Sequence, residues 1–107
     1  MDRRPSVAAT PFDPTVVDPT HYRVEFENDR VRVLRMTYEA HGRGVWHEHP
    51  RGVSIWLTDA HGRMHLPDGG IVDFEARAGQ VDEDVADAHE PENLGDEPVE
   101  AIIVELK

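Results

Sequence analysis

Short runs of period two, cut by turn residues, are what this chain is made of, and they leave little room for anything but a β fold. Tyr22, Val24 and Phe26 alternate with Arg23, Glu25 and Glu27, as in a strand with one face buried and one in water. Asn28-Asp29 supplies turn chemistry, and a second run from Arg30 to Tyr38 turns the pair into a hairpin. In that second run the apolar positions change parity, Val31 and Val33 giving way to Leu34, Met36 and Tyr38. This predicts either a bulge near Leu34 or a strand covered on both faces. Further strands are predicted around His47, from Val53 to Thr58, from Arg63 to Leu66, from Ile71 to Ala76 and from Val99 to Leu106. Val53 to Thr58 is apolar on both parities and reads as a central strand. In the last run Ile102, Val104 and Leu106 share a parity. Pro50-Arg51-Gly52, Asp59-Ala60-His61-Gly62 and Pro67-Asp68-Gly69-Gly70 are turns, and Ala78-Gly79 leads into an acidic segment that ends at His89. Roughly eight or nine short strands with no segment of helical period predict an all-β sandwich or barrel.

A chain of 107 residues makes one domain. Pro5, Pro11, Pro14 and Pro19 punctuate residues 1–20, which predicts an extended arm, disordered at its tip and without helix, ahead of a domain over residues 21–107. A chain this small, with a strand apolar on both faces, is expected to form a homodimer, the arm crossing to the partner or covering its own sheet. The absence of cysteine excludes a disulfide scaffold, a zinc ribbon and a thiol nucleophile, and fits a reducing compartment, so a cytoplasmic location is expected. Met1-Asp2-Arg3-Arg4-Pro5 is not followed by the apolar run of a secretory signal, and no window is apolar enough to span a bilayer. A formal charge of −11 repels phosphate backbones and anionic lipid. The expected partner is a small molecule, with no nucleic acid and no membrane. Ten acidic residues lie between Arg77 and Lys107 with no basic one among them, a solvated face or a surface for a cationic partner.

Chemistry concentrates in Val45-Trp46-His47-Glu48-His49-Pro50. Histidines at i and i+2 of a strand share a face, unlike those of helical zinc proteases, which lie four apart. A third imidazole is available at His89, and His47, His49 and His89 would make a metal site with positions left open for water or substrate. The alternative is a pair of rim histidines hydrogen-bonded to Glu48 or to backbone. His21, His41 and His61 read as solvated side chains, and His65 points outward from its strand. Trp46 and Trp56 line a pocket or pack in the core or in a dimer interface. No Ser-His-Asp spacing, phosphate loop or nucleotide fingerprint is present.

These segments resemble the two short motifs of the cupin superfamily, small jelly-roll barrels that often carry a metal in the mouth. Gly42 or Gly44, His47 and His49 match the first motif, but Val53 and Ser54 stand where its glutamate belongs. Gly79, His89 and Asn93 match the second, with Val85 and Asp87 in place of its proline and glycine. The similarity runs from about His21 to Lys107 and includes Phe26-Glu27-Asn28-Asp29-Arg30-Val31 and Glu92-Asn93-Leu94-Gly95-Asp96. It implies a double-stranded β-helix with His47, His49 and His89 holding a divalent metal, Zn, Fe, Ni, Mn or Cu. Asp87 is then a ligand, an orienting group or a turn residue facing water.

Two functions follow. One is a metal-dependent enzyme acting on a small molecule, an oxidoreductase of dioxygenase type or a lyase or isomerase working by Lewis-acid chemistry. The other is a metal-free or metal-optional ligand-binding protein, which the missing glutamate favours.

Overall fold

The computed structural model describes residues 11–107; the tip of the arm lies outside them. One turn of helix, α1 (Pro14–Val17), precedes nine strands: β1 (Tyr22–Glu27), β2 (Val31–Tyr38), β3 (His47–His49), β4 (Gly52–Trp56), β5 (Ala60–His65), β6 (Ile71–Ala76), β7 (Val81–Asp84), β8 (Asp87–Asn93) and β9 (Val99–Leu106). They form a five-stranded sheet of order β1-β2-β9-β4-β7 and a four-stranded sheet of order β3-β8-β5-β6. Every pairing is antiparallel. The core lies between the two sheets, with Leu34, Met36, Trp56, Val99 and Ala101 from the larger one and Ala60, Ala76 and Phe74 from the smaller. No helix among the described residues is long and apolar enough to cross a membrane.

The hairpin and the central place of β4 are as the alternation predicts. The parity change at Leu34 has a different origin. β2 is regular, with Arg32, Leu34, Met36 and Tyr38 all buried and Val31 and Val33 on the opposite face. The bulge lies in β1, between Val24, opposite Leu34, and Phe26, opposite Val33. The hydropathy pattern slips because an arginine, Arg32, occupies an inward position. Likewise the inward side of β9 is Val99, Ala101, Ile103 and Glu105, while Ile102, Val104 and Leu106 face away from the core. β7 is invisible to hydropathy because it reads Val-Asp-Glu-Asp; it pairs with β4 on one side, and acidic side chains suit the unpaired edge on the other. β5 begins at Ala60, so His61 sits on a strand and not in a turn.

The absence of helix expected over residues 1–20 fails at α1. Asp13 is its N-cap, with Oδ1 accepting from Thr15 N at 2.8 Å, and Pro14 takes the first helical position, where a missing N–H costs nothing. Asp-Pro is a helix start as much as a breaker. The cap is also an anchor. Arg32 lies fully buried between two carboxylates, its Nε 2.7 Å from Glu105 Oε1 and its Nη1 2.8 Å from Asp13 Oδ2. Glu105 stands directly opposite Arg32 across the β2–β9 ladder, so the cluster ties both strands to α1. On the other side of Glu105 is Gly52, where a Cβ would come within 1.9 Å of the Val104 carbonyl.

Removing one member of a buried charge cluster leaves the others unpaired in low dielectric, at a cost of about 3–5 kcal/mol. We expect Arg32→Met to lower stability by about that amount in urea unfolding. Combining it with Glu105→Gln and Asp13→Asn, which removes the charges and keeps a capping side chain, should restore most of the loss.

Candidate functional site

The three histidines singled out by spacing come together. β3 pairs with β8 so that His47 lies directly opposite His89 and His49 opposite Asp87. Ring centroids are 4.8 Å apart for His47 and His89, 4.6 Å for His49 and His89, and 6.2 Å for His47 and His49. All three line a cavity of about 100 Å³ between the sheets, whose other walls include Met36, Met64, Phe74, Trp56 and Ile103. This is a mainly apolar chamber, below the roughly 300–1,000 Å³ of a drug-sized pocket.

Backbone carbonyls set the imidazole orientation. His47 Nδ1–H donates to Val45 O at 2.9 Å, and His49 Nδ1–H to Pro50 O at 3.1 Å, which leaves each Nε2 as the free lone pair. The loop carrying Val45 is held in turn, its N–H donating to Asp18 Oδ2 at 3.2 Å. Gly44 is required there, since a Cβ would fall 2.2 Å from the Tyr38 hydroxyl. The Tyr22 ring meets His47 edge-on at 4.9 Å. Burial pushes His47 below the usual imidazole range, opposed by its bond to the Val45 carbonyl. Burial, then His49 and His47, push His89 down to about 3. His47 and His89 are therefore neutral near pH 7, the form that can ligate a metal.

As the side chains stand, their donor atoms do not converge. Among the described residues no group of three or more His, Cys, Asp or Glu is disposed to hold a metal ion. What fits is the donor chemistry: three imidazoles line one cavity, and in His47 and His49 it is Nδ1 that is engaged by backbone carbonyls.

Val53 and Ser54, which stand where the resemblance places a glutamate, separate clearly. Val53 lies on the side of β4 away from the cavity, and Ser54 is buried and lines it. Ser54 Oγ donates to Asp84 Oδ2, so β7 delivers a carboxylate beside the serine. Glu105 also reaches the cavity, and burial raises its pKa against the pull of Arg32. Neither acid was anticipated. The alternation of Val99, Ala101, Ile103 and Glu105 was a signal for one; nothing local marks Asp84. Asp87 opens β8 and is exposed, its Oδ1 accepting from Ala88 N at 2.8 Å. Asn93 is structural, its amide donating to Glu39 O and Glu97 O.

Among the other histidines, His21 departs from expectation. It is buried, stacked on Tyr38 at 4.2 Å, with Nδ1 2.8 Å from Asp18 and Nε2 3.2 Å from Glu39. His41 and His61 are exposed, and His65 turns from the cavity to Glu92 at 3.1 Å. Trp56 lines the cavity, its Nε1–H donating to Asp82 at 2.9 Å; Trp46 is half-buried elsewhere.

No protein-family profile and no curated protein matches the chain in sequence. Solved structures do match. A cupin domain from Bordetella pertussis superposes with a TM-score of 0.74 at 23% identity over 80% of this chain and 91% of its own. A double-stranded β-helix protein from Klebsiella pneumoniae gives 0.63 at 18% identity, covering 79% and 74%. The oxalate decarboxylase of Bacillus subtilis, described with Mn(II) centres, gives 0.55 at 25% identity, covering 71% of this chain and 21% of its own.

Imidazoles kept neutral by the fold make stability pH-dependent. In the unfolded chain they protonate below about pH 6.5, whereas folded His89 resists to about 3, so the unfolded state binds more protons as pH falls. Stability is full above about pH 6.5 and decreases below it, by up to about 1.4 kcal/mol per pH unit for one such group. We expect urea midpoints of the chelator-treated protein to drop between about pH 6.5 and pH 5, above the main carboxylate range. His89→Gln should flatten that slope.

Proposed function

This chain has the cupin fold, and we propose that it binds a small, largely apolar molecule in the cavity between its sheets, next to a divalent transition metal held by His47, His49 and His89. The observation that carries this reading is the meeting of three imidazoles from β3 and β8 in the wall of a mainly apolar chamber. The manganese centres of the oxalate decarboxylase of similar fold support a metal here. On three neutral ligands a divalent ion keeps its full charge, and when bound it would supply Lewis-acid or oxygen-activating chemistry. The rest belongs to the chain. The Val45 and Pro50 carbonyls orient the rings, Met36, Met64, Phe74 and Trp56 exclude water, and the Ser54–Asp84 pair offers a hydrogen-bonding or proton-accepting group to a ligand. Turnover would make the protein a metal-dependent oxidoreductase of dioxygenase type, or a lyase or isomerase.

A second reading, a binding protein that needs no metal, is favoured by two observations. The donor atoms do not converge as they stand, and a serine occupies the glutamate position.

Metal loading separates the two. A ligand that binds only the folded state adds about 2.7 kcal/mol at about 100 times its dissociation constant, a melting shift on the order of 10 °C for a domain of this size. We expect Zn, Ni, Fe(II) or Mn(II) to raise the melting temperature of untagged, chelator-stripped protein at pH 8, since ligation requires neutral imidazole. Alanine at His47, His49 or His89 should abolish the shift, and His61→Ala should leave it intact. No shift with any of these metals at pH 8 selects the metal-free reading.

A further inference from the structure

The cavity wall is charged in one sense only. Among the described residues it includes three carboxylates, Asp84, Glu92 and Glu105, and no lysine or arginine. Glu92 is engaged by His65 at 3.1 Å. The other two stand in one row of the five-stranded sheet, Asp84 on β7 and Glu105 on β9, both opposite Gly52 of β4, which puts no side chain between them. Their backbones are two strand spacings apart, each about 4.8 Å. Glu105 is 1% exposed and its Oε2 has no hydrogen-bond partner, while Oε1 is held by Arg32, which stands outside the cavity wall. Arg32 is shared with Asp13, so it offsets only one of the two carboxylates it touches. Asp84 accepts from Ser54 on Oδ2, and among the described residues nothing donates to its Oδ1. Burial strips water from an acceptor, so an unpartnered one beside a cavity points to a donor that the chain itself does not supply.

We propose that the molecule taken up by the cavity is a small organic cation, a primary amine whose ammonium group lies between Asp84 and Glu105 and whose hydrocarbon part lies among Met36, Trp56 and Phe74. This rests on the cavity being a ligand site, the reading argued above, and adds the charge of the ligand. An ammonium group has three N–H donors and no acceptor. It matches Glu105 Oε2, Asp84 Oδ1 and the Ser54 hydroxyl oxygen, whose own hydrogen is committed to Asp84. Charge decides between ligand classes. In the metal-free protein a carboxylate or phosphate would be buried beside like charges with no cation in the wall to pair with it, whereas an ammonium brings the counter-charge that Arg32 supplies only in part. A neutral alcohol fills the same space with a single donor and no charge. The net charge of −11 also concentrates cations around the molecule.

Three compounds of one shape test this: 3-methylbutylamine, 3-methylbutan-1-ol and 3-methylbutanoate, titrated by calorimetry into the untagged, chelator-stripped full chain at pH 8. An alkylamine is protonated there, its pKa being close to the roughly 10.4 of lysine. Salt at about 0.15 M screens exposed charges beyond about 8 Å, which suppresses loose attraction to the acidic surface. The amine should bind at least tenfold more tightly than the alcohol, and the carboxylate more weakly than either. Asp84 stands outside the Arg32 ion cluster, so its neutralisation strands no buried charge. Asp84→Asn should lower the affinity for the amine at least tenfold and leave that for the alcohol unchanged, with circular dichroism showing the fold intact. Asp96→Asn, on an exposed loop, should leave both as they are. Equal affinity for amine and alcohol, tighter binding of the carboxylate, or an amine preference that survives Asp84→Asn overturns the proposal and leaves the cavity as a ligand site. Binding of none of the three overturns it together with that reading, and the metal-dependent melting shift is a separate measurement that none of these outcomes touches.

Discussion

Buried charge organises this structure. Arg32 on β2 meets Glu105 on β9 and Asp13 at the start of α1, all three essentially without solvent, so none of them can leave without stranding the others. Because Asp13 also caps α1, the cluster fixes the approach of the N-terminal segment to the sheets. One residue earlier, the Phe12 carbonyl accepts from Glu48 N at 2.8 Å, so the segment held by Arg32 also supports the free side of β3, the strand that carries His47 and His49. A three-residue strand has little stability of its own. It is kept in register by β8 on one side and by an ion-anchored segment on the other.

The same logic continues inside the site. Asp18 accepts hydrogen bonds from both His21 and the Val45 N–H, and the Val45 carbonyl accepts from His47. A buried carboxylate thus reaches the His47 ring through a single residue, Val45. Burial keeps the imidazoles uncharged, and their neutrality and their placement have a common cause, the enclosure of β3 and β8 against Tyr22 and the apolar cavity wall. Ser54 and Asp84 show how two adjacent strands bring to the cavity a carboxylate that one strand does not carry.

The two faces of the larger sheet divide its work. Its inward residues shape the cavity, and its outward ones form an apolar surface on a chain whose net charge is −11.

By itself the sequence determined the class of fold and the residues around which its chemistry gathers. Period-two alternation between turn residues is a local property, so the hairpin, the central β4 and the sharing of a face by His47 and His49 could be read directly. The meeting of His89 with that pair came from resemblance, since a spacing of 42 residues says nothing about distance. What tertiary structure alone decided involves polar groups whose partners are remote. Arg32 looked like a break in the pattern of β2 until Glu105 and Asp13 supplied its counter-charges. β7 did not look like a strand because its acidic residues are explained only by its place at an edge. His21 read as solvated until Asp18 and Glu39 closed on it, and prolines that suggested extended chain start a helix because Asp13 caps it. Hydropathy records whether a side chain prefers water, but a buried polar group is stable only through partners that the fold brings to it, and no local window of sequence contains them.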